Sequence, residues 1–177
     1  MTRTAMAIAF VLGLLAYGCG QSNHELVDST STSTPVPQSG TGPTYSLRLL
    51  GVDLGDFTAA TMRVQSVQVT GGGAVLANTV KSPEVDLART DNAFLLATFQ
   101  VPDGVEDVEF LVTFESGALA TSKGSFDVSA RCQTLRLGGK VSRIAERKHA
   151  VIHLDVARSF VPSEVGLTLV PHFQLVY

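Results

Sequence analysis

The chain has 177 residues and a formal charge of −3; it is 45% hydrophobic and only 16% charged. Its charges are spread thinly. No basic stripe exists to neutralise phosphates, which excludes nucleic acid as a partner, and no acidic block forms an interaction tail.

The N-terminal stretch MTRT carries one charge, Arg3, and Ala5 to Leu15 is the apolar run AMAIAFVLGLL, followed by small residues and Cys19. A basic start, an apolar region of about 7–15 residues and a small-residue cleavage site describe an export signal. The run is too short for a membrane-spanning helix, which needs about 20 apolar residues. LLAYGC, Leu14 to Cys19, resembles the lipobox of bacterial lipoproteins. Gly18 fits the position before the cysteine, Ala16 stands where Leu is usual, and Tyr17 stands where a smaller residue is usual. The resemblance implies a signal peptide over 1–18, a lipid on the Cys19 thiol, cleavage before Cys19 and acylation of the new amino terminus. That covalent lipid is the only cofactor expected. Several acyl chains hold a protein on a membrane, because each buried methylene contributes about 0.8 kcal/mol and one chain is marginal. The alternative is an ordinary secretory signal cut near Gly18 or Gly20. By resemblance to the sorting of Gram-negative lipoproteins, Gly20 in place of an aspartate favours the outer over the inner membrane of a bacterial cell envelope.

Residues 19–43 follow as a linker. Ser22 to Pro43 reads SNHELVDSTSTSTPVPQSGTGP, with large apolar residues almost absent. Such a segment buries too little apolar surface to offset the entropy of ordering it, so a flexible tether is expected, with a reach of about 27 Å for roughly 24 residues. The Ser-Thr-Pro alternation also resembles O-glycosylated stalks.

Residues 44–177 are long enough for one domain with its own core. Here the apolar pattern mostly alternates, which is the period of a strand with one buried face. The first strand is expected over Tyr45–Leu50, ending at GVDLGDF. In TMRVQSVQVT the alternation slips: Met62 and Val64 share one parity, Val67 and Val69 the other. One extra residue near Gln65–Ser66, a β-bulge, would restore a common core face. Gly71 to Gly73 then turn the chain into AVLANTV, and a short strand is expected at Glu84–Ala88. AFLLATF, Ala93 to Phe99, reads equally as a buried strand or a short helical turn. After the turn signal Pro102-Asp103-Gly104, EDVEFLVTF places Val108, Phe110, Val112 and Phe114 on one face. Short strands follow at Ser125–Ser129 and Arg131–Leu137. HAVIHLDV sets Ile152, Leu154 and Val156 against His149, His153 and Asp155. In GLTLVPHFQLVY, Leu167, Leu169, Phe173, Leu175 and Tyr177 share a face with Pro171, opposed by Thr168, His172 and Gln174. Pro171 cannot donate to a ladder and marks an edge or a bulge. Many short strands between Gly, Pro and Asp turns predict an all-β fold, an antiparallel two-sheet β-sandwich of the immunoglobulin or prealbumin kind.

This order of strands resembles the DUF4382 family of bacterial lipoprotein domains. The resemblance runs through TMRVQSVQVTG, EVDLARTDNAFLLATFQVPDGVEDVEFLVTF and VIHLDVARSF to LTLVPHFQLVY. LLGVDLGDF stands where the family has a Thr-Asp-Ala-Pro motif, with Asp53 at its aspartate and without the flanking Thr, Ala and Pro. Pro102-Asp103-Gly104 keeps the Pro and Gly of the family's turn, and Leu169-Val170-Pro171 keeps part of its terminal motif. The resemblance implies a β-sandwich on a cell-envelope lipoprotein and brings no catalytic residues.

The chain lacks the Gly-x4-Gly-Lys-Ser/Thr loop, Gly-x-Gly-x-x-Gly, His-Glu-x-x-His and Gly-x-Ser-x-Gly. Gly51 to Gly55 has the spacing of the last with aspartate at its centre, and reads as a turn ending a strand. Cys132 has no intrachain partner once Cys19 is lipidated, so it is either a reactive thiol or a small half-buried residue. His153 and Asp155, about 6.5 Å apart along a strand, could gather with His172 into an N/N/O metal site, or form a solvated polar face. His149 is about 13 Å from His153 and too far to share a metal with it. Asp53 and Asp56 could supply oxygen ligands to a loop cation, or simply form a polar turn. The expected function is therefore a non-enzymatic envelope lipoprotein, tethered to the membrane, binding or structurally supporting an envelope protein or glycan. A metal-dependent domain using the His/Asp face is the alternative.

Overall fold

The computed structural model describes residues 42–130, 133–164 and 166–177. The signal segment, Cys19 with the tether up to residue 41, and Cys132 lie outside the described residues. In chain order the elements are β1 (Thr44–Val52), β2 (Phe57–Gly71), β3 (Ala74–Ala77), β4 (Glu84–Asp86), β5 (Phe94–Gln100), β6 (Asp107–Thr121), β7 (Gly124–Ser129) and β8 (Thr134–Lys140). There follow α1 (Val141–Arg147), β9 (His149–Asp155), α2 (Val156–Ser159), β10 (Phe160–Ser163), β11 (Gly166–Leu169) and β12 (Phe173–Val176).

The strands form two sheets. The first runs β12-β9-β1-β5, and the second β10-β11-β7-β6-β2-β3, with β4 also on β2 and β8 also on β6. Both are mixed, which corrects the expected antiparallel arrangement: β1 pairs with β9 in parallel, and β7 with β11 in parallel. Period-two alternation assigns a buried face but carries no strand direction, and parallel neighbours need only a crossover between them. Here β1 and β9 are separated by most of the second sheet.

The slip in TMRVQSVQVT is a bulge. Register shifts fall between Arg63 and Val64 and between Val64 and Ser66 of β2, opposite β6. Gln65 and Ser66 are both exposed, while Met62, Val64, Val67 and Val69 are all buried. β6 changes phase at the same level. Phe114 pairs with Val64 and Ser116 with Arg63, so Glu115 is unmatched, and the buried set moves from Val108, Phe110, Val112 and Phe114 to Leu119. One inserted residue flips every later side chain to the other face; matched insertions in both strands keep both apolar faces on one side. Glu115, exposed at this bulge, lies 3.9 Å from Arg63. AFLLATF is strand, and a bulge opposite Leu47–Arg48 explains its consecutive buried pair Leu96–Ala97, which made its period unreadable.

The buried faces of both sheets join one cluster. Phe99 of β5 meets Phe110 of β6 edge to face at 5.7 Å and ties the sheets together, and Tyr45 of β1 packs tilted on Phe99 at 5.9 Å within the first sheet. Ile144 closes the cluster from α1, which ends where Lys148 turns left-handed (φ 65°) and donates its N–H to Ile144 O. On the outer side of β6 and β8, Arg136 pairs with Glu109 and Lys140 with Asp107. These hydrogen bonds, and then the charges themselves, hold both cations above their ordinary pKa.

The expected C-terminal strand is two strands in different sheets. β11 belongs to the second sheet and β12 to the first, and Val170-Pro171-His172 crosses between them. Pro171 is thus the break itself, since it cannot donate to a ladder. Leu169 is buried as expected, but Phe173 and Tyr177 are exposed at 41% and 36%, a correction to the core face read from sequence.

Gly117 of β6 tests the tight β2–β6 approach, because a Cβ there would collide with the Met62 side chain and the Thr61 carbonyl. Gly117→Ala is expected to lower stability by about 1–3 kcal/mol, read as a fall in urea midpoint at constant m. Gly138→Ala on β8, where a Cβ meets nothing within 4 Å, is expected to leave the midpoint unchanged or raise it slightly.

Candidate functional site

The burial of β9 alternates strictly: Ala150, Ile152 and Leu154 are buried, and His149, Val151, His153 and Asp155 face outward at intermediate exposure. The strand ends because Asp155 caps α2. Its Oδ1 accepts the Arg158 N–H at 2.9 Å, a standard way to satisfy a first-turn donor. Its Oδ2 lies 4.0 Å from Arg158 Nε. Through α2 the chain leaves the first sheet and enters the second at Phe160.

The return crossing passes directly beside this one. Val170 N–H donates to Ser159 O at 2.7 Å, and Asp155 N–H donates to His172 O at 2.9 Å. Ser159, fully buried, joins the two crossings: its Oγ accepts the His172 N–H at 2.9 Å and donates to the His172 carbonyl at 3.3 Å. A buried polar group must find such partners. Here it finds both on one residue and so fixes where His172 stands.

The result is a groove of about 280 Å³ lined by Val52, His153, Asp155, Arg158, His172, Phe173 and Gln174. His153, Asp155 and His172, the three residues singled out from sequence, all line it. Gln174 sits opposite His153 in the β12–β9 register, and Phe173 opposite Leu154. His149 lies at the far end of β9, opposite Ser46 of β1. Four lining residues were not nominated from the sequence, and one of them, Gln174, was placed only on the outward face beside His172. Arg158 follows from the Asp155 cap, and a short apolar-to-polar change in DVARS was its only signal. Phe173 was assigned to the core, and Val52 lies at the end of β1.

The groove does not assemble the expected metal ligands. Among the described residues no three His, Cys, Asp or Glu side chains converge on a point that could hold a metal ion. The physical reason lies in Asp155, whose carboxylate is committed to the α2 N-terminus and Arg158. Asp53 and Asp56 also fail to join such a group. Both are exposed, and Asp53 adopts φ 47° in a turn where its carbonyl accepts Ala157 N–H at 2.8 Å and Leu54 O accepts Phe57 N–H at 3.0 Å. Asp53 therefore acts through its backbone, anchoring α2.

Chemically, the groove offers two imidazoles, an amide, a guanidinium whose side chain is 73% exposed, and an exposed aromatic ring. The neighbouring hydroxyl of Ser159 is buried with donor and acceptor both engaged, so it is a strut and not a nucleophile. This equipment suits recognition of a polar partner. No protein-family model, curated protein or solved structure matches the chain.

Ser159→Ala is expected to cost about 1–3 kcal/mol, the penalty for buried backbone groups that lose their partner; chemical-shift changes confined to Asp155, His172 and Phe173 in an amide spectrum would localise it. Equimolar Zn²⁺ is expected to leave the melting temperature unchanged. A native-state ligand at concentrations well above its Kd raises stability by several kcal/mol, so a clear rise abolished by His153→Ala would restore the metal reading.

Proposed function

We propose that this chain is a cell-envelope lipoprotein, anchored through Cys19, whose β domain is a non-catalytic module that binds or braces an envelope protein or glycan. The observation that carries the reading is the order of its parts: LLAYGC, then a Ser/Thr/Pro/Gly-rich segment, then a domain whose first strand begins at Thr44. A lipid anchor followed by a polar spacer holds a domain away from headgroups, where it meets other envelope components. The outer membrane is the favoured site because Gly20 follows the cysteine.

The fold is read as a sandwich, with the Phe99–Phe110 contact and the shared core as its support, and in general form it resembles immunoglobulin or prealbumin domains. The likeness to DUF4382 lipoprotein domains points the same way through the strand order and the Pro102–Gly104 turn. The groove supports recognition over catalysis, because its carboxylate caps a helix and its serine is used as a strut. An exposed phenylalanine beside imidazole, amide and guanidinium groups is a surface for polar ligands with an apolar face.

The test is fractionation. The full chain is expected in the membrane fraction, and Cys19→Ser in the soluble fraction or the medium. Protease added to intact cells then reports which way the domain faces. If both forms fractionate alike, Cys19 is not the anchor and the lipoprotein reading falls.

A further inference from the structure

β12 is one of the two end strands of the first sheet, β5 being the other. Asp155 N–H donates to His172 O, and the register continues Gln174 with His153 and Val176 with Val151. In an antiparallel ladder alternate residues point their backbone groups toward the neighbour, so His172, Gln174 and Val176 face β9. The N–H and C=O groups of Phe173 and Leu175 therefore point outward, and no strand lies beyond them among the described residues.

Exposed edges are usually blunted by charges or proline. β10, one end strand of the second sheet, carries Pro162, and in β5, the other end strand of the first, Leu96 O accepts the Lys81 N–H at 2.8 Å. β12 reads FQLV, with neither a charge nor a proline. Its flanks are different. At one end it borders the groove holding His153, Arg158 and His172. At the other, a cleft of about 420 Å³ lies between Leu175, Val176 and Tyr177 and the α1 residues Arg143, Glu146 and Arg147. Glu146 is 3.7 Å from Arg143, and Arg147 has no carboxylate partner among the described residues. An uncharged edge with no proline is thus flanked by cationic side chains, Arg158 at one end and Arg143 and Arg147 at the other.

We infer that the outer edge of β12 accepts an extended acidic peptide segment of a partner protein as an added strand, with the partner's carboxylates meeting Arg158 at one end and Arg143 and Arg147 at the other. This rests on the reading of the domain as a binding module and names the partner's chemistry. Main-chain hydrogen bonds supply the affinity in this mode and alternate side chains the specificity. A second copy of this chain fits less well, because antiparallel pairing of two β12 edges would set Arg143 and Arg147 of one copy toward Arg158 of the other.

The test uses the full chain in detergent micelles and two fluorescent octapeptides, one alternating valine with glutamate and one alternating valine with lysine. The glutamate peptide is expected to bind saturably and at least tenfold tighter than the lysine peptide. Leu175→Pro, which removes one outward N–H and no bond to β9, is expected to weaken it at least tenfold, and Arg147→Glu at least threefold. Should Leu175→Pro fail to fold, two versions of the glutamate peptide, N-methylated on alternate amides, decide with the unaltered chain. Strand addition predicts that only one methylation pattern abolishes binding. Equal binding of the two charge types, no saturable binding, or equal sensitivity to both methylation patterns would overturn the inference. So would self-association of the full chain in sedimentation that Leu175→Pro abolishes, which would make a second copy the occupant. Fractionation of Cys19→Ser does not depend on any of these results, so a failed edge and a failed anchor are told apart.

Discussion

Two fifteen-residue strands, β2 and β6, pair along nearly their whole length, and most of the second sheet depends on that ladder. β8 and β7 share one side of β6, the first along its N-terminal half and the second along its C-terminal half. β4 and β3 divide β2 in the same way. The paired insertions at Gln65 and Glu115 make this possible. Without them, one half of each strand would turn Val67 and Val69, or Leu119, toward solvent while the other half kept its apolar face inward. A one-residue phase error on one strand alone would set buried against exposed side chains across the ladder, so the two bulges form a single device.

The first sheet is held to this frame by side chains and by chain crossings. Phe99 against Phe110 spans the two sheets, and Tyr45 packs on Phe99 from the neighbouring strand of the first. Two crossings lie side by side, α2 leaving β9 and Val170–His172 entering β12, and the Ser159 hydroxyl bolts them together. The groove is a consequence of that junction: the crossings cannot continue either ladder, so their outward side chains surround a gap. Recognition sites commonly sit where regular elements hand over to irregular chain on a rigid scaffold. Here Asp155 supplies both roles, ending β9 as an outward strand residue and starting α2 as its cap.

Seen together, the groove and the bare edge give β12 a special place. It is an end strand of its sheet with no fully buried residue and cationic side chains at both ends. β6 and β8, by contrast, cover their outer face with Glu109–Arg136 and Asp107–Lys140 pairs. Exposed ion pairs add little stability, but they keep that face wet and charged. The domain is thus unevenly protected, with β12 its least protected strand.

Much of this was legible in the amino-acid sequence. Alternation located the strands and their buried faces from Leu47 to Leu154, the broken parity of TMRVQSVQVT located a bulge, and the outward face of β9 gave two of the groove's residues. His172 was also named, although the strand assigned to it was wrong. Features not legible include strand direction, the second bulge at Glu115, helix α1, the division of the C-terminal segment between two sheets, and the exposure of Phe173. Period and turn chemistry are local properties of a chain, so the sequence alone determined which stretches extend and which face of each seeks the core. Pairing partners, direction and the commitment of a carboxylate such as Asp155 are settled between residues far apart in the chain. Only the closing of the two sheets on each other decided those, and with them which polar side chains share a groove and that the outer edge of β12 was left open.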